Sequence, residues 1–261
     1  MEASVLPSAP APAPAPAAWP ATLPPMPVMD FAQFGEVETV ALPRNQKLVA
    51  SFLSRNWAQI PHVTHHDEAC ADALEAFRRE LAAGGVKLSP LPFLIKAAAR
   101  ALAAFPRFNA SLSPDGNALV MKRYVHIGVA VETPNGLMVP VIRDCDRKPV
   151  VEIAAELADK TARARAKGLP MAEMSGGCFS VSSLGAIGGT AFTPIINAPE
   201  VAILGVTRTI ERLALADGKV VATLAMPLSL SYDHRVINGA DAARFVRFIA
   251  EQLADPIDLA R

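Results

Sequence analysis

Apolar positions recur at helical spacing in RNQKLVASFLSRNWAQI, residues 44 to 60, where Leu48, Val49, Phe52 and Leu53 form one stripe. A second helix is expected over residues 68 to 85, EACADALEAFRRELAAGG, ended by Gly84-Gly85. LPFLIKAAARALAAFP, residues 91 to 106, is apolar nearly all round, so its helix belongs in an interior. The pattern then changes period. In residues 124 to 143, two β-rich runs flank Pro134-Asn135-Gly136, and Asn-Gly between such runs predicts a hairpin. Helical spacing returns over residues 150 to 170. Residues 177 to 184, 200 to 208 and 218 to 232 read as strands, and 240 to 253 as a closing helix. Helices mixed with strands and hairpins favour an α/β or α+β body with a mixed sheet. No repeat of solenoid length interrupts it.

Residues 1 to 27 stand apart, holding nine of the 23 prolines, with the run APAPAPAPAAWP. Alternating Ala-Pro has no apolar face to bury and lacks half its backbone donors, so an extended, disordered linker is expected there. Residues 28 to 261 then form one domain. Over the whole chain 25 basic and 25 acidic side chains balance, which leaves no electrostatic footprint for nucleic acid. No apolar run reaches the length of a membrane span, and no secretory or transit signal opens the chain. Cys70, Cys145 and Cys178 are too few and too scattered for a disulfide framework or a CxxC pair. A cytoplasmic, reducing setting is the expectation.

Candidate chemistry gathers at two places. In PLSLSYDHRVINGAD, Leu228, Leu230 and Tyr232 alternate with Ser229 and Ser231, which predicts a half-buried strand. His234 follows its end, and Asn238 reads as the N-cap of the next helix. A histidine on a loop between rigid elements is placed either for base catalysis or for local backbone bonding. The second place is GGCFSVSSLGAIGGTAFTPIINAPEVAILGV, residues 176 to 206, a strand ending in Ser182-Ser183 before a glycine-rich loop. It carries neither a phosphate-cradling GxxxxGK[ST] nor a GxSxG nucleophile elbow. Two other signals are weak. HVTHH, with His62, His65 and His66, lacks acidic or cysteine partners at ligand spacing, so no metal is expected. Asp159-Lys160 lies in helical sequence, whereas a lipoylated lysine would stand at a hairpin tip.

Taken together, YDHRVINGADAARF and SVSSLGAIGGTAFTPIINAPEVAILGV resemble the two signature motifs of the dihydrolipoyl acyltransferases, the E2 catalytic domains of 2-oxoacid dehydrogenase complexes. RNWAQIPHVTHHDEA, PLPFLIKAAARALAAFPRFNASLS and HIGVAVETPNGLMVPVIRD extend the resemblance over about residues 28 to 255. It implies the chloramphenicol acetyltransferase-like fold and a homotrimer with active sites between subunits. It implies acyl transfer between dihydrolipoamide and coenzyme A as substrates, without metal, and the sequence version leans to acetyl and the pyruvate complex. By the same resemblance His234 is the general base, Ser182 the oxyanion donor and Asn238 a supporting residue. Ser183 points to the other face by strand alternation. The residues that bind the coenzyme A nucleotide do not stand out.

Three further expectations follow. With no lipoyl domain ahead of the linker-like segment, the lipoyl group is expected on another chain, alongside other components of a 2-oxoacid dehydrogenase complex. The ending PIDLAR brings Asp258, Arg261 and a carboxylate together, and burying those charges unpaired is costly, so assembly beyond the trimer is expected to be weak. Two readings from other classes remain open: a silent structural core, and a serine hydrolase using Ser182, His234 and an aspartate such as Asp233.

Overall fold

A computed structural model describes residues 27–134, 136–216 and 218–261. The Ala-Pro run and Asn135 of the expected hairpin turn lie outside the described residues. The chain divides into two units at Ala41/Leu42. Among the described residues of the first, a 3-10 turn spans Phe31–Gln33, with Asp30 Oδ1 accepting from the Ala32 N–H at 3.1 Å.

The second unit carries the helices α1 (Arg44–Gln59), α2 (Asp72–Ala83), α3 (Pro90–Ala104), α4 (Val150–Lys167), α5 (Met171–Met174), α6 (Gly239–Ala254) and α7 (Pro256–Leu259). Its strands are β1 (His62–Cys70), β2 (Ala110–Leu112), β3 (Leu119–Met121), β4 (Ile127–Val129), β5 (Val131–Thr133) and β6 (Gly136–Met138), then β7 (Val141–Ile142), β8 (Phe179–Ser183), β9 (Ala202–Val206), β10 (Ile210–Ala216) and β11 (Lys219–Asp233). The main sheet runs β1-β11-β9-β8-β4-β7, with β10 paired to the first half of β11. β8 is parallel to both β4 and β9, and the other pairs in this sheet are antiparallel, so the sheet is mixed. β5 and β6 pair antiparallel across the expected hairpin.

Two expectations are corrected here. Residues 68–70 are not helical but finish β1, and α2 begins only at Asp72. The strand of β11 is not half-buried: Ser229 and Ser231 are 1% and 0% exposed. One face of the sheet, with Val181, Leu204, Leu228, Leu230 and Tyr232, joins Phe93 and Ile95 of α3 and Phe245 and Ile249 of α6 in the main core. The opposite face presents Ser180, Ser182, Ser229, Ser231, His62, Thr64 and His66 in adjacent strands. Segment 190–200 lies over that face. The Ile196 N–H donates to His62 Nε2 at 3.0 Å, and Asn197 Nδ2 reaches Ser180 Oγ at 3.4 Å. Thr64 Oγ1 bonds Ser231 Oγ at 2.8 Å, and His66 Nδ1 bonds Ser229 Oγ at 2.9 Å. Buried polar side chains are stable when paired in this way. Sequence alternation reports a polar face, and such a face is solvated unless a later segment covers it.

Gly205 permits that cover. A Cβ there would stand 2.6 Å from Phe192 Cζ and 2.8 Å from Cε1. Gly205→Ala therefore has to expel the ring from the sheet. Overpacking of this kind costs about 1–3 kcal/mol, and urea unfolding at constant m-value is expected to show a lowered midpoint.

Candidate active site

His234 sits where β11 stops, and the stop has a local cause. The Asp233 carboxylate, 2% exposed, turns back to its own loop. Its Oδ1 accepts from the Arg235 N–H at 3.0 Å and from Nε at 2.9 Å, while Oδ2 accepts from Nη2 at 2.7 Å. The N–H groups of Val236 and Ile237 fold onto the Asp233 carbonyl at 2.9 and 3.0 Å. A bidentate pair between this buried carboxylate and the exposed Arg235 guanidinium fixes the turn geometry rather than supplying a free charge. The His234 N–H is anchored to the Pro61 carbonyl at 3.1 Å. Its ring is exposed and stands 5.8 Å from that of Tyr232, centroid to centroid. The result is an imidazole presented outward on a braced loop.

Four residues on, Asn238 Oδ1 accepts from the Asp241 N–H at 2.8 Å and caps α6. The N-cap expected from the sequence is therefore present. Asn238→Ala should cost about 1 kcal/mol, as lost N-caps do, and thermal unfolding measures it.

Ser182 lies on β8 opposite Gly205, and Gly205 is opposite Ser229 on β11. His234 follows the end of β11 at Asp233, which lies four residues beyond Ser229 and two strands across from β8. With about 3.3 Å per residue and about 4.8 Å per strand, the end of β11 at Asp233 stands roughly 16 Å from Ser182 in one chain. A single chain thus does not bring them together. Asp233 also fails as the orienting acid of a Ser-His-Asp triad, since Arg235 occupies both its oxygens. The hydrolase arrangement with that aspartate is corrected on this ground.

Around the end of β8 opens a cavity of about 750 Å³, walled by Ser183, Gly185, Thr207, Leu91, Leu94 and Met226 among others. Arg208 on its rim holds the glycine-rich loop through the carbonyls of Ala186 and Ile187 at 3.4 and 3.0 Å. Arg79 also lines it. Sequence reading missed this space because its walls come from several separate segments. Two of the HVTHH histidines have other work: His66 bonds Ser229, and His62 Nε2 accepts from the Ile196 N–H, so its Nδ1–H donates to the Ile60 carbonyl at 2.8 Å. Among the described residues no group of three or more His, Cys, Asp or Glu is arranged to hold a metal. Lys160 is buried in α4, donating to the Val141 carbonyl at 2.6 Å and pairing with Glu156 at 2.9 Å. It is no exposed acceptor for a lipoyl group. No helix among the described residues is long and apolar enough to cross a membrane.

The mixed sheet with flanking helices is that of chloramphenicol acetyltransferase, a solved structure that superposes with a TM-score of 0.54 at 18% identity over 80% of this chain and 95% of that one, a likeness of fold alone. Residues 34–261 match the model of the 2-oxoacid dehydrogenases acyltransferase catalytic domain, and the chain belongs to that family. It is 55% identical, over 90% of its length, to the dihydrolipoyllysine-residue acetyltransferase component of the pyruvate dehydrogenase complex of Pseudomonas aeruginosa. It spans 44% of that relative's length. A dihydrolipoamide acetyltransferase of Azotobacter vinelandii, studied for the role of a serine, a histidine and an asparagine in its catalytic mechanism, superposes with a TM-score of 0.87 at 51% identity, covering 91% of this chain and 99% of that one. The cubic core of a pyruvate dehydrogenase multienzyme complex superposes equally well, with a TM-score of 0.87 at 52% identity over 91% of this chain and 99% of that one.

Proposed function

We propose that the chain transfers an acyl group, acetyl in preference to larger ones, between the thiol of dihydrolipoamide and coenzyme A. The observation that carries this reading is the trio Ser182, His234 and Asn238. It repeats the order and chain spacing of the serine, histidine and asparagine studied in the Azotobacter enzyme. The exposed ring of His234 takes the proton from the attacking thiol. A free thiol has a pKa of about 8.5, so a neighbouring imidazole raises the thiolate fraction where it is needed. Sulfur then adds to the thioester carbonyl, and the Ser182 hydroxyl donates to the resulting oxyanion. Collapse expels the other thiolate, which recovers the proton from His234. No acyl-serine forms.

Since Ser182 and His234 are far apart in one chain, the site is completed by a second copy. A homotrimer with three such junctions is the assembly we propose, supplied with lipoyl groups carried on lipoyl domains within a cytoplasmic pyruvate dehydrogenase complex. One of the C-terminal charges is met within the chain. Asp258 is paired with Arg100 at 2.6 Å, and Leu259 of α7 is buried in the core.

The direct test is acetyl transfer from acetyl-coenzyme A to free dihydrolipoamide, followed by coenzyme A release. Turnover dependent on the thiol acceptor is expected. A folded protein with no transfer would leave a structural core as the function, and acceptor-independent release of acetate would mean hydrolysis.

A further inference from the structure

Behind the polar face of the sheet lies a carboxyl group that the acyl-transfer steps do not use. Glu200 is 4% exposed. Its Oε1 accepts from Ser180 Oγ at 3.0 Å and from Asn197 Nδ2 at 3.1 Å, while its Oε2 is buried without a partner. Gly177 backs the group closely: a Cβ at that glycine would come within 3.0 Å of Oε1. A carboxylate shares its charge over two oxygens, and burying one of them unbonded is costly. The neutral acid meets the same surroundings with one accepting oxygen and one hydroxyl.

The connections of Glu200 run to both halves of the candidate site. Ser180, its donor, is two residues from Ser182 on the same strand and therefore on the same face. On the other side, the carbonyl of the adjacent Val201 accepts from the Asp233 N–H at 2.9 Å, immediately before His234. We propose that Glu200, held as the uncharged acid, is a positioning residue that locks the Ser182 strand to the loop carrying His234. Where each site takes its serine and its histidine from different copies, this clamp ties neighbouring sites to one another.

The charged and titratable groups around it leave the acid form favoured. Lys122, after β3, is the nearby cation, and its Nζ is already bonded to the Ala110 carbonyl at 3.2 Å. The Cys178 thiol leads into β8, and burial holds its pKa up. Asp233, Arg235 and Arg55 line the cavity of about 410 Å³ that Glu200 also borders, the first two paired with each other. Burial outweighs these influences and the two hydrogen bonds, and the Glu200 carboxyl is pushed up to about 7.

Ionisation near neutrality is then a loss of the clamp. Glutamine reproduces the neutral acid's shape and hydrogen bonds without its titration. The test compares kcat/KM of the wild type with Glu200→Gln and Glu200→Ala between about pH 5.5 and about pH 8.5. The Gln variant should stay within about threefold of the wild type on the acid side, and the Ala variant should fall well below both. The ratio of wild type to Gln variant should decline as pH rises through about 7, a trend in which the contribution of His234 cancels. A ratio constant over the whole range overturns the proposal.

This kinetic arm rests on the acyl-transfer reading, so a second arm does not use activity. Infrared difference spectra should show a protonated-carboxyl band in the wild type that the Gln variant lacks and that fades as pH rises. The folded-state pKa is raised above the unfolded one. The stability advantage of wild type over the Gln variant is therefore fullest below about pH 4.5 and shrinks until pH passes about 7. Absence of both the band and this shrinkage overturns the acid form even in a protein that transfers no acetyl group.

Discussion

His234→Ala should lower kcat for acetyl transfer by about a thousandfold while leaving the fold intact. A positioned general base contributes on the order of 10²–10⁴ in rate, and the alanine variant leaves only a thiol that must ionise unaided. The ring is exposed, and its anchoring to Pro61 runs through the backbone N–H, which alanine keeps. Circular dichroism and the thermal midpoint should therefore match the wild type. The residual rate should rise steeply with pH, because the solution thiolate replaces the enzyme's base. A further signature separates base from structural loop residue: a thiol of low pKa should lose less on the substitution than dihydrolipoamide itself. Undiminished turnover in the variant would remove His234 from the mechanism.

The loop that carries this histidine was legible because its signals are local. Alternation in PLSLSYD, an N-cap asparagine and the amphipathic helix after it all fall within one short stretch, and β11 and α6 form there. The all-apolar α3 was legible for the same reason. β1 was not. Its sequence HVTHHDEAC shows no clean alternation, because His62, Thr64 and His66 meet the strand-β11 residues Asp233, Ser231 and Ser229 while Val63 is exposed and only Ala69 on the other side is buried. The cover over its His62 end comes from Ile196, far along the chain, and no local pattern announces it. β10 escaped as well, since the Ile210–Ala216 pairing exists only through the extension of β11. Glu200 could have been suspected from NAPEVAILGV, a glutamate leading straight into an unbroken apolar strand. Its partners Ser180 and Asn197 come from separate elements, so its state could not. The separation of about 16 Å between Ser182 and the end of β11 is likewise a product of sheet register, which sequence spacing does not report.

Ser182→Ala should reduce kcat by about a hundredfold or more, with little change in the KM for either substrate. Removing one donor to a developing oxyanion costs on the order of 10²–10³ in rate. The hydrogen bond matters most when charge is on the oxygen, so ground-state binding is largely spared. Ser182 is only partly buried, and its side chain makes no bond that holds β8 in the sheet, so unfolding should change little. The sharper experiment mixes this variant with His234→Ala, unfolding and refolding the two chains together. If one copy supplies the base and its neighbour the oxyanion donor, a chain lacking Ser182 still lends an intact His234 to a neighbour that retains its serine. In random mixtures of equal parts, about a quarter of junctions inherit both groups, and activity should recover to about that fraction of wild type. The parents refolded separately and then combined without exchange should stay inactive. Recovery can arise only where the two groups come from different chains, because neither variant carries both. Failure to recover, with mixed oligomers demonstrated by mass, would mean that each chain closes its own site by a rearrangement of β8 against the His234 loop.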